Sequence, residues 1–339
     1  MVSQITSFSL PTKTKSSTLA AILLALVVLN LSTTCHGTLQ WGFYKGKCGR
    51  NNVEAIIRGI VTARFRRDPA IVAALLRMQF HDCFVNGCDA SILLDGSSSE
   101  KTAPPNLSVR GYGIIDEAKA ALEKACPGVV SCADIIVVAA TRDAVALDGG
   151  LRYEFPMRRR DGKVSLASNV NLPSPSATVT QAFDAFKRKG LSTAEMVLLF
   201  GGHTVGVTHC AFVMNRLYNF KGTNEADPTM NPALVKELKL RCPANGASGN
   251  NTINLDQNRY SANKVDNSYY KQLMMKNGIL EIDQKLALDS ETKNLVSSQA
   301  NGSNFPTLFN YALVEMGTIQ VLTGTQGEIR KSCRAINKR

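Results

Sequence analysis

The cysteines constrain the fold of this chain more than any other feature of its sequence. There are nine, of which Cys35 lies in an N-terminal segment with the character of a cleaved leader, and the other eight run from Cys48 to Cys333. An even set of cysteines in an exported chain indicates disulfides, here four. Eight cysteines can pair in about a hundred ways, so their number alone leaves the pairing open.

The leader is recognised by the order of its regions. Residues 1–17 contain two lysines and no acid, residues 18–31 are predominantly apolar, and residues 32–37 are small and polar. This order is typical of a secretory signal, and the apolar run is too short for a membrane span. We predict a signal peptide over residues 1–38, cleaved near Gly37 or Thr38, and one mature domain over residues 39–339. An uncleaved membrane anchor is the alternative.

Composition excludes a disordered chain, because 44% of the 339 residues are hydrophobic and only 19% are charged. The net charge is +12, and it becomes +10 when the two lysines of the leader are removed. A basic exported protein attracts polyanions. In an exported protein we therefore expect acidic polysaccharide or phospholipid head groups as partners before nucleic acid, since no basic run is interleaved with aromatic residues. No membrane anchor is expected after cleavage.

Hydrophobic periodicity predicts an almost wholly helical mature chain with little β-structure. Val53 to Val61 repeats at helical spacing, Asp68-Pro69 is typical of a helix start, and Ser192 to Glu195 forms a capping-box pattern. Further helices are predicted from Cys132 to Leu147, from Pro232 onward, and from Asp266 to Lys276. No internal repeat or interdomain linker occurs, which favours one helical unit.

One candidate site combines a cation, an aromatic ring and an imidazole. Arg77, Phe80 and His81 are spaced so that they share one face of a predicted helix. The segment Asp82–Ser91 then provides carboxylates, a hydroxyl and backbone carbonyls around a tight Cys-to-Cys loop. Oxygen ligands on a folded loop suit a hard cation such as Ca²⁺. The alternative is a capped helix end with a structural disulfide.

The second candidate site is His203, which follows Gly201-Gly202. Small neighbours allow its imidazole to approach a flat cofactor closely, although an ordinary loop histidine has the same pattern. His209 lacks such a setting, and we interpret it as structural or exposed. A zinc site is disfavoured because oxidised cysteines supply no thiolates. A serine or thiol hydrolase is disfavoured because it needs a free nucleophile, and the chain has no Gly-x-Ser-x-Gly motif.

Several motifs in one order carry a family resemblance. They are Leu76–Ser91 (LRMQFHDCFVNGCDAS), Gly201–Gly206 (GGHTVG), Val321–Gly324 (VLTG) and Gly327–Cys333 (GEIRKSC). Together they resemble the secreted plant haem peroxidases, class III, and the resemblance extends from about Gln40 to Asn337.

The resemblance implies an all-α haem-peroxidase fold, with ten or more helices sandwiching a haem b, two calcium ions and four disulfides. It implies a secreted monomer of the apoplast or cell wall that reduces hydrogen peroxide while oxidising phenolic donors in one-electron steps. A catalytically silent, basic wall-polysaccharide-binding protein on the same fold is the second hypothesis, and a zinc or thiol hydrolase is the third.

On the distal side of the haem, the resemblance gives four residues a role. His81 matches the general base that moves a proton between the two peroxide oxygens. Arg77 matches the cation that stabilises charge as the O–O bond breaks, and Phe80 would shield the bound oxygen. Asn106, together with the preceding Glu100, matches the group that fixes the tautomer of the distal imidazole.

On the proximal side, His203 matches the axial ligand of the iron. Asp283 matches the carboxylate that accepts the other N–H of that imidazole, an arrangement that raises ligand basicity. Pro173 matches a proline at the substrate entrance.

The family's two calcium sites also match residues of this chain. The distal set consists of Asp82, Val85, Gly87, Asp89 and Ser91, and the proximal set consists of Thr204, Asp256, Ser261 and Asp266. In the proximal set, serine replaces the usual threonine at position 261 and Asp256 lies two residues further upstream than the common spacing.

Disulfides and sequons complete the expectations. The implied pairs are Cys48 with Cys126, Cys83 with Cys88, Cys132 with Cys333, and Cys210 with Cys242. Sequons occur at Asn106, Asn250 and Asn301. A glycan at Asn106 is incompatible with its distal role, so we expect that residue to be unmodified. Departures from the family pattern occur at Gln79, Gly49, Leu151 and Arg158, where the family has histidine, proline, proline and glycine.

Overall fold

The structure, a computed structural model, describes residues 38–136, 141–244 and 251–338. Residues 1–37 of the predicted signal peptide and the sequon asparagine Asn250 lie outside these ranges. The described residues contain thirteen α-helices: α1 (Val53–Phe65), α2 (Ile71–Cys83), α3 (Tyr112–Ala125), α4 (Cys132–Asp134), α5 (Thr141–Leu147), α6 (Val179–Arg188), α7 (Thr193–Phe200), α8 (Met214–Tyr218), α9 (Pro232–Arg241), α10 (Ser268–Met274), α11 (Glu281–Leu288), α12 (Lys293–Asn301) and α13 (Phe305–Met316).

The β-structure of the described residues is small. The strands β1 (Val207–His209) and β2 (Thr252–Asn254) form one antiparallel pair in which Thr208 lies opposite Ile253. Seven short 3-10 turns complete the regular structure of these ranges. The prediction of an all-α chain is confirmed. No helix within the described residues has the length and apolarity needed to cross a bilayer.

The helices form two groups on one continuous hydrophobic core. In the first group, α1 packs against α3 and α5, and α2 packs against α5. In the second group, α7 packs against α13, and α10 packs against α12. Helix α6 packs against α7, and its buried Phe186 also contacts Phe80 of α2 and Phe84, the residue directly after α2. The two groups are therefore joined through aromatic contacts.

Helix ends agree with the sequence in two cases and differ in two. The Ser192–Glu195 capping box is present at α7, and Asn231 caps α9 by accepting from the Ala233 N–H. The prediction for α2 was wrong by two residues, because Asp68 accepts from the Ala70 N–H and caps a preceding turn. Similarly, Asp266 accepts from the N–H of Ser268, so α10 begins at Ser268.

Four disulfides connect the elements. Cys48 is bonded to Cys126, Cys83 to Cys88, Cys132 to Cys333, and Cys210 to Cys242. These are the pairs that the resemblance implies. The bond between Cys83 and Cys88 closes the loop directly after α2, which holds the candidate calcium residues against the end of that helix.

Candidate active site

Helix α2 carries the first part of the site. His81 is buried, and its Nδ1 lies 2.6 Å from the Asn106 side-chain oxygen. The Asn106 amide donates to the Glu100 carbonyl oxygen at 2.8 Å, which leaves that side-chain oxygen to accept. The Nδ1 of His81 therefore carries the proton, and its Nε2 carries the free lone pair.

Burial and charge together keep His81 neutral. Desolvation and, to a lesser extent, the positive charge of Arg77 lower its pKa to about 4, against a smaller opposing effect of the Asn106 hydrogen bond. A histidine with such a pKa is uncharged at neutral pH and has a lone pair available. It is therefore able to accept a proton from a bound molecule.

Arg77 lies one helical turn before His81 and is held by the loop that contains Asn106. Its Nε donates to His81 Nε2 at 3.2 Å, and its terminal nitrogens donate to the Pro105 carbonyl at 2.9 Å and to the Ser108 hydroxyl at 3.0 Å. Burial lowers the pKa of Arg77. One short loop thus positions both the imidazole and the guanidinium, and the Ser108 contact is one that sequence reasoning missed.

The second part of the site is built around His203, in the 3-10 turn Gly201–Thr204 after α7. Its Nδ1 donates to Asp283 Oδ1 at 2.8 Å, and the carboxylate of Asp283 is fully buried on α11. The same oxygen accepts from the Tyr269 hydroxyl at 3.0 Å, and the other oxygen accepts from the Leu280 N–H at 3.2 Å. The His203 side chain is 30% exposed, and its Nε2 is free to ligate a metal.

A row of aromatic rings joins the two histidines. Phe80 lies 5.7 Å from His81 and 6.3 Å from Phe186, measured between ring centroids. Phe186 lies 5.8 Å from Phe200, which lies 5.8 Å from His203. No sequence motif indicates Phe186, because its position in this row depends on the packing of α6 against α7 and on its contact with Phe80 of α2.

These residues fit a haem. His203 offers a nitrogen whose partner nitrogen is fixed by a buried carboxylate, which is the donor chemistry of an axial iron ligand. Beside it, the apolar side chains of Leu198, Leu199 and Phe200 remain half-buried rather than buried, and so provide a wall for an apolar ring. At the other end of the aromatic row, His81 and Arg77 provide a base and a cation.

The loop after α2 gathers buried acids. Asp82, Asp89 and Glu100 are each 5% exposed or less. Burial raises the pKa of all three carboxyls, that of Glu100 to about 7, and the charges of Asp89 and Glu100 raise the pKa of Asp82 further. Within the described ranges, Ser91 Oγ and Glu100 Oε2 are buried without a hydrogen-bond partner. This is a set of hard oxygen donors that fits Ca²⁺.

The remaining residues of the predicted distal calcium set, Val85 and Gly87, have backbone carbonyls that accept hydrogen bonds. The Val85 carbonyl accepts from the Lys189 ammonium at 3.0 Å, and the Gly87 carbonyl accepts from the Asp89 N–H at 2.8 Å. Among the residues that the structure describes, no three His, Cys, Asp or Glu side chains form a metal-binding group by themselves. Hydroxyl and carbonyl oxygens are therefore needed to complete this site.

The proximal calcium set also converges despite its unusual spacing. The Thr204 hydroxyl lies 3.5 Å from Asp266 Oδ1, and Ser268 contacts both Asp266 and Asp256. Burial raises the pKa of Asp256 to about 6, with a further contribution from the charge of Asp266. In the described part of the chain, Asp256 Oδ2 and Ser261 Oγ are buried without a partner. These oxygens also fit a hard cation.

The other predicted positions are placed as follows. Pro173 lies half-buried in the loop before α6. Asn106 is 2% exposed, whereas Asn301 is exposed at the end of α12. Gln79 is fully buried on α2 and donates to the Leu313 carbonyl at 3.4 Å. His209 is half-buried on β1.

Comparison with known proteins places this site in a family. Residues 57–302 match the family model described as Peroxidase. Peroxidase 60 of Arabidopsis thaliana is 50% identical over 95% of this chain and 97% of its own length. Peroxidase 57 and Peroxidase 44 of the same plant are 46% and 47% identical, over 92% and 91% of this chain and 97% and 96% of their own lengths. With this coverage and an all-α fold tied by four disulfides, the chain belongs to the peroxidase family, as a plant haem peroxidase of class III.

Proposed function

We propose that this peroxidase oxidises small phenolic donors. One hydrogen peroxide takes two electrons and two protons from two phenols, which gives two water molecules and two phenoxyl radicals that couple outside the protein. The observation that carries this proposal is the pairing of a neutral, buried His81 with Arg77 at one end of the aromatic row and of His203 with Asp283 at the other. Haem b, when bound, supplies the electrons for the first step.

In this proposal His81 moves a proton between two oxygens of the substrate. Its Nε2 accepts a proton from one peroxide oxygen and returns it to the other oxygen, which leaves as water. The Arg77 N–H now directed at Nε2 turns toward the leaving oxygen, whose negative charge it stabilises. Asn106 keeps the imidazole in the required tautomer throughout. His203 would hold the iron, and Asp283 would keep its imidazole electron-rich.

Two calcium ions support the site in this proposal. The distal ion would lie among Asp82, Asp89 and Ser91 and the carbonyls of Val85 and Gly87, directly after the helix that carries His81. The proximal ion would lie among Thr204, Asp256, Ser261 and Asp266, next to His203 in the chain. Both ions would offset the repulsion and desolvation of buried carboxylates.

We also propose that the mature protein acts in the apoplast or cell wall. The order of regions in residues 1–38 supports export, and the disulfides suit an oxidising compartment. Phenolic monomers and peroxide would be its small-molecule partners, and the net positive charge favours acidic wall polysaccharide as a macromolecular partner. Pro173, in its exposed loop, would border the donor entrance.

The test is steady-state oxidation of a simple methoxyphenol by the holoenzyme and two pairs of variants. We expect His81→Leu and Arg77→Gln each to lower kcat/KM for peroxide by about a hundredfold or more. The matched controls His209→Leu and Arg110→Gln, which change the same residue types outside the site, should remain within twofold of the parent. Equal rates in the site variants and their controls would contradict the proposed roles and favour the silent binding protein.

A further inference from the structure

Segment 41–50 forms a basic and aromatic surface that is not part of the candidate active site. The turn-rich segment 41–50 contains Trp41, Phe43, Lys45, Lys47 and Arg50, and no acid occurs from residue 38 to residue 53. Trp41 is the single tryptophan of the chain, and it is 64% exposed. Trp41 thus places an exposed aromatic ring in the same short segment as three cations.

Contacts with neighbouring segments extend this surface and hold it in place. Phe43 has the Lys47 ammonium 4.3 Å from its ring centroid and the Arg158 guanidinium 5.7 Å from it. Backbone hydrogen bonds in both directions between Gln40 and Met157 anchor the segment beside Arg158. The disulfide from Cys48 to Cys126 brings the end of α3, with its exposed Lys124, to the same place. We call Trp41, Phe43 and these five cations, Lys45, Lys47, Arg50, Lys124 and Arg158, the Trp41 patch.

The charge of the Trp41 patch is not offset by acidic partners in the part of the chain that the structure describes. Within the described residues, none of the five makes an ion pair, whereas Arg64 on the neighbouring helix α1 pairs with Glu117 and Arg334 pairs with Asp116. Five uncompensated charges close together repel one another, which costs stability without a compensating contact inside the protein. The charge is available to a ligand.

We propose that the Trp41 patch binds linear acidic polysaccharide of the uronate type. A uronate chain presents one carboxylate per sugar, and each carboxylate can pair with one of several separate lysine and arginine cations. Its sugar rings have an apolar C–H face, and a flat exposed indole with no partner of its own offers a surface for that face. The inference rests on the proposed wall location but not on the peroxidase chemistry, so the two can fail separately.

The experiment measures binding of the holoenzyme to immobilised, de-esterified polygalacturonate at two salt concentrations. Lys45→Gln/Lys47→Gln removes two charges from the patch, and Lys236→Gln/Lys293→Gln removes two unpaired, exposed charges from α9 and α12 as the control. We expect the patch variant to bind about fivefold more weakly and the control to change less than twofold. Equal losses in both variants would show that net charge alone drives binding and would overturn the assignment.

Trp41 is tested with a matched aromatic control. Trp41→Ala should weaken binding about tenfold, and the loss should persist at high salt because stacking is not screened. Tyr311→Ala, which removes a 67% exposed ring from α13, should have no effect. Indistinguishable behaviour of these two variants would contradict a stacking role.

Competition by anionic phospholipid vesicles as strong as that by free polygalacturonate would contradict uronate recognition. Peroxidase turnover, measured in parallel, should be unchanged in all four variants.

Discussion

Single residues control the protonation of the site, and His81 is the first of them. Its Nδ1 is tied to Asn106 and its Nε2 faces the Arg77 Nε, so the reactive lone pair is defined by two hydrogen bonds on opposite sides of one ring. The motif around His81 predicted a base. The family resemblance also implied that Asn106 sets the tautomer, and the fold of the loop carrying Asn106 against α2 identifies Nδ1 as the nitrogen that it contacts.

The pKa of His81 predicts the pH dependence of the reaction with peroxide. Because the free enzyme's base titrates at about 4, kcat/KM for peroxide should be constant from about pH 5 to 8 and fall tenfold per pH unit below about 4. Asn106→Ala removes a bond that raises this pKa, so its midpoint should move to lower pH and its plateau should fall. A midpoint near the ordinary histidine value in the parent enzyme would contradict the burial of His81.

Tyr269 shares the carboxylate partner of His203 and is therefore expected to affect how electron-rich that imidazole is. It donates to the same Asp283 oxygen that accepts from His203, and its ring lies edge-on at 6.0 Å from the imidazole. Removal of this donor leaves the carboxylate a stronger acceptor, which makes His203 a more electron-rich ligand. Tyr269→Phe should therefore lower the ferric/ferrous midpoint potential of the holoenzyme by about 40 mV, equivalent to ~1 kcal/mol. An unchanged or higher potential in spectroelectrochemical titration would contradict this role, and Tyr270→Phe is the matched control.

Arg158 has a backbone conformation that suits glycine. Its φ is +99°, in the region that side chains rarely adopt, and the family resemblance indicates glycine at this position. The strain exceeds the entropy that glycine loses on folding. Arg158→Gly should raise the free energy of unfolding by about 1 kcal/mol in denaturant titration. A loss of stability would show that the contact of Arg158 with Phe43 outweighs the strain.

At the scale of the elements, buried carboxyl groups lie close together at the end of α2 and in the loop after it, and ionising them lowers the stability of the folded state. Asp82 and Asp89 flank the short disulfide loop from Cys83 to Cys88, and Asn86 within that loop donates to Glu100 Oε1 at 2.9 Å. A carboxyl whose pKa is raised in the folded state destabilises that state fully above the folded pKa and not at all below the unfolded one. A bound divalent cation would remove this cost.

Chelation should therefore destabilise the protein in a pH-dependent way. The pKa of Glu100 rises from 4.5 to about 7, so the cost of ionising it without a cation is on the order of 3 kcal/mol above pH 7 and vanishes below about pH 4.5. We expect a calcium chelator to lower Tm strongly at about pH 8 and weakly at about pH 4.5. Added Ca²⁺ should reverse the effect and Mg²⁺ should not. A chelator effect independent of pH would contradict the role of these acids.

Elements with local signals were predicted well, and those that depend on tertiary contacts were not. The capping box of α7 and the Asn231 cap of α9 are local hydrogen bonds, so the sequence indicates them directly. The pair of β1 with β2 joins segments far apart in the chain, and neither has enough alternation to be recognised. Asp256 lies at an unusual spacing from Asp266, yet Ser268 contacts both, because the intervening loop absorbs the extra residues.

At the scale of the whole molecule, the fold brings two histidines that are distant in the chain to the ends of one aromatic row. Family motifs predicted that His81 and His203 act together, but the connection through Phe186 required the packing of α6 between the two helical groups. Disulfides also join distant parts of the chain, since Cys48 is bonded to Cys126 and Cys132 is bonded to Cys333. The site is consequently built from residues of α2, α7, α10 and α11 at once.

The central claim is that His203 holds a haem whose reaction with peroxide depends on His81. The measurement is the visible absorption spectrum of the purified mature protein before and after one equivalent of hydrogen peroxide, compared with His203→Ala and His81→Leu. We predict a Soret band that changes within seconds of peroxide addition and recovers with a phenol, a band lost or strongly shifted in His203→Ala, and a band that responds about a hundredfold more slowly in His81→Leu. A parent protein without a Soret band after refolding with hemin and calcium, or with a band indifferent to peroxide, would contradict the account.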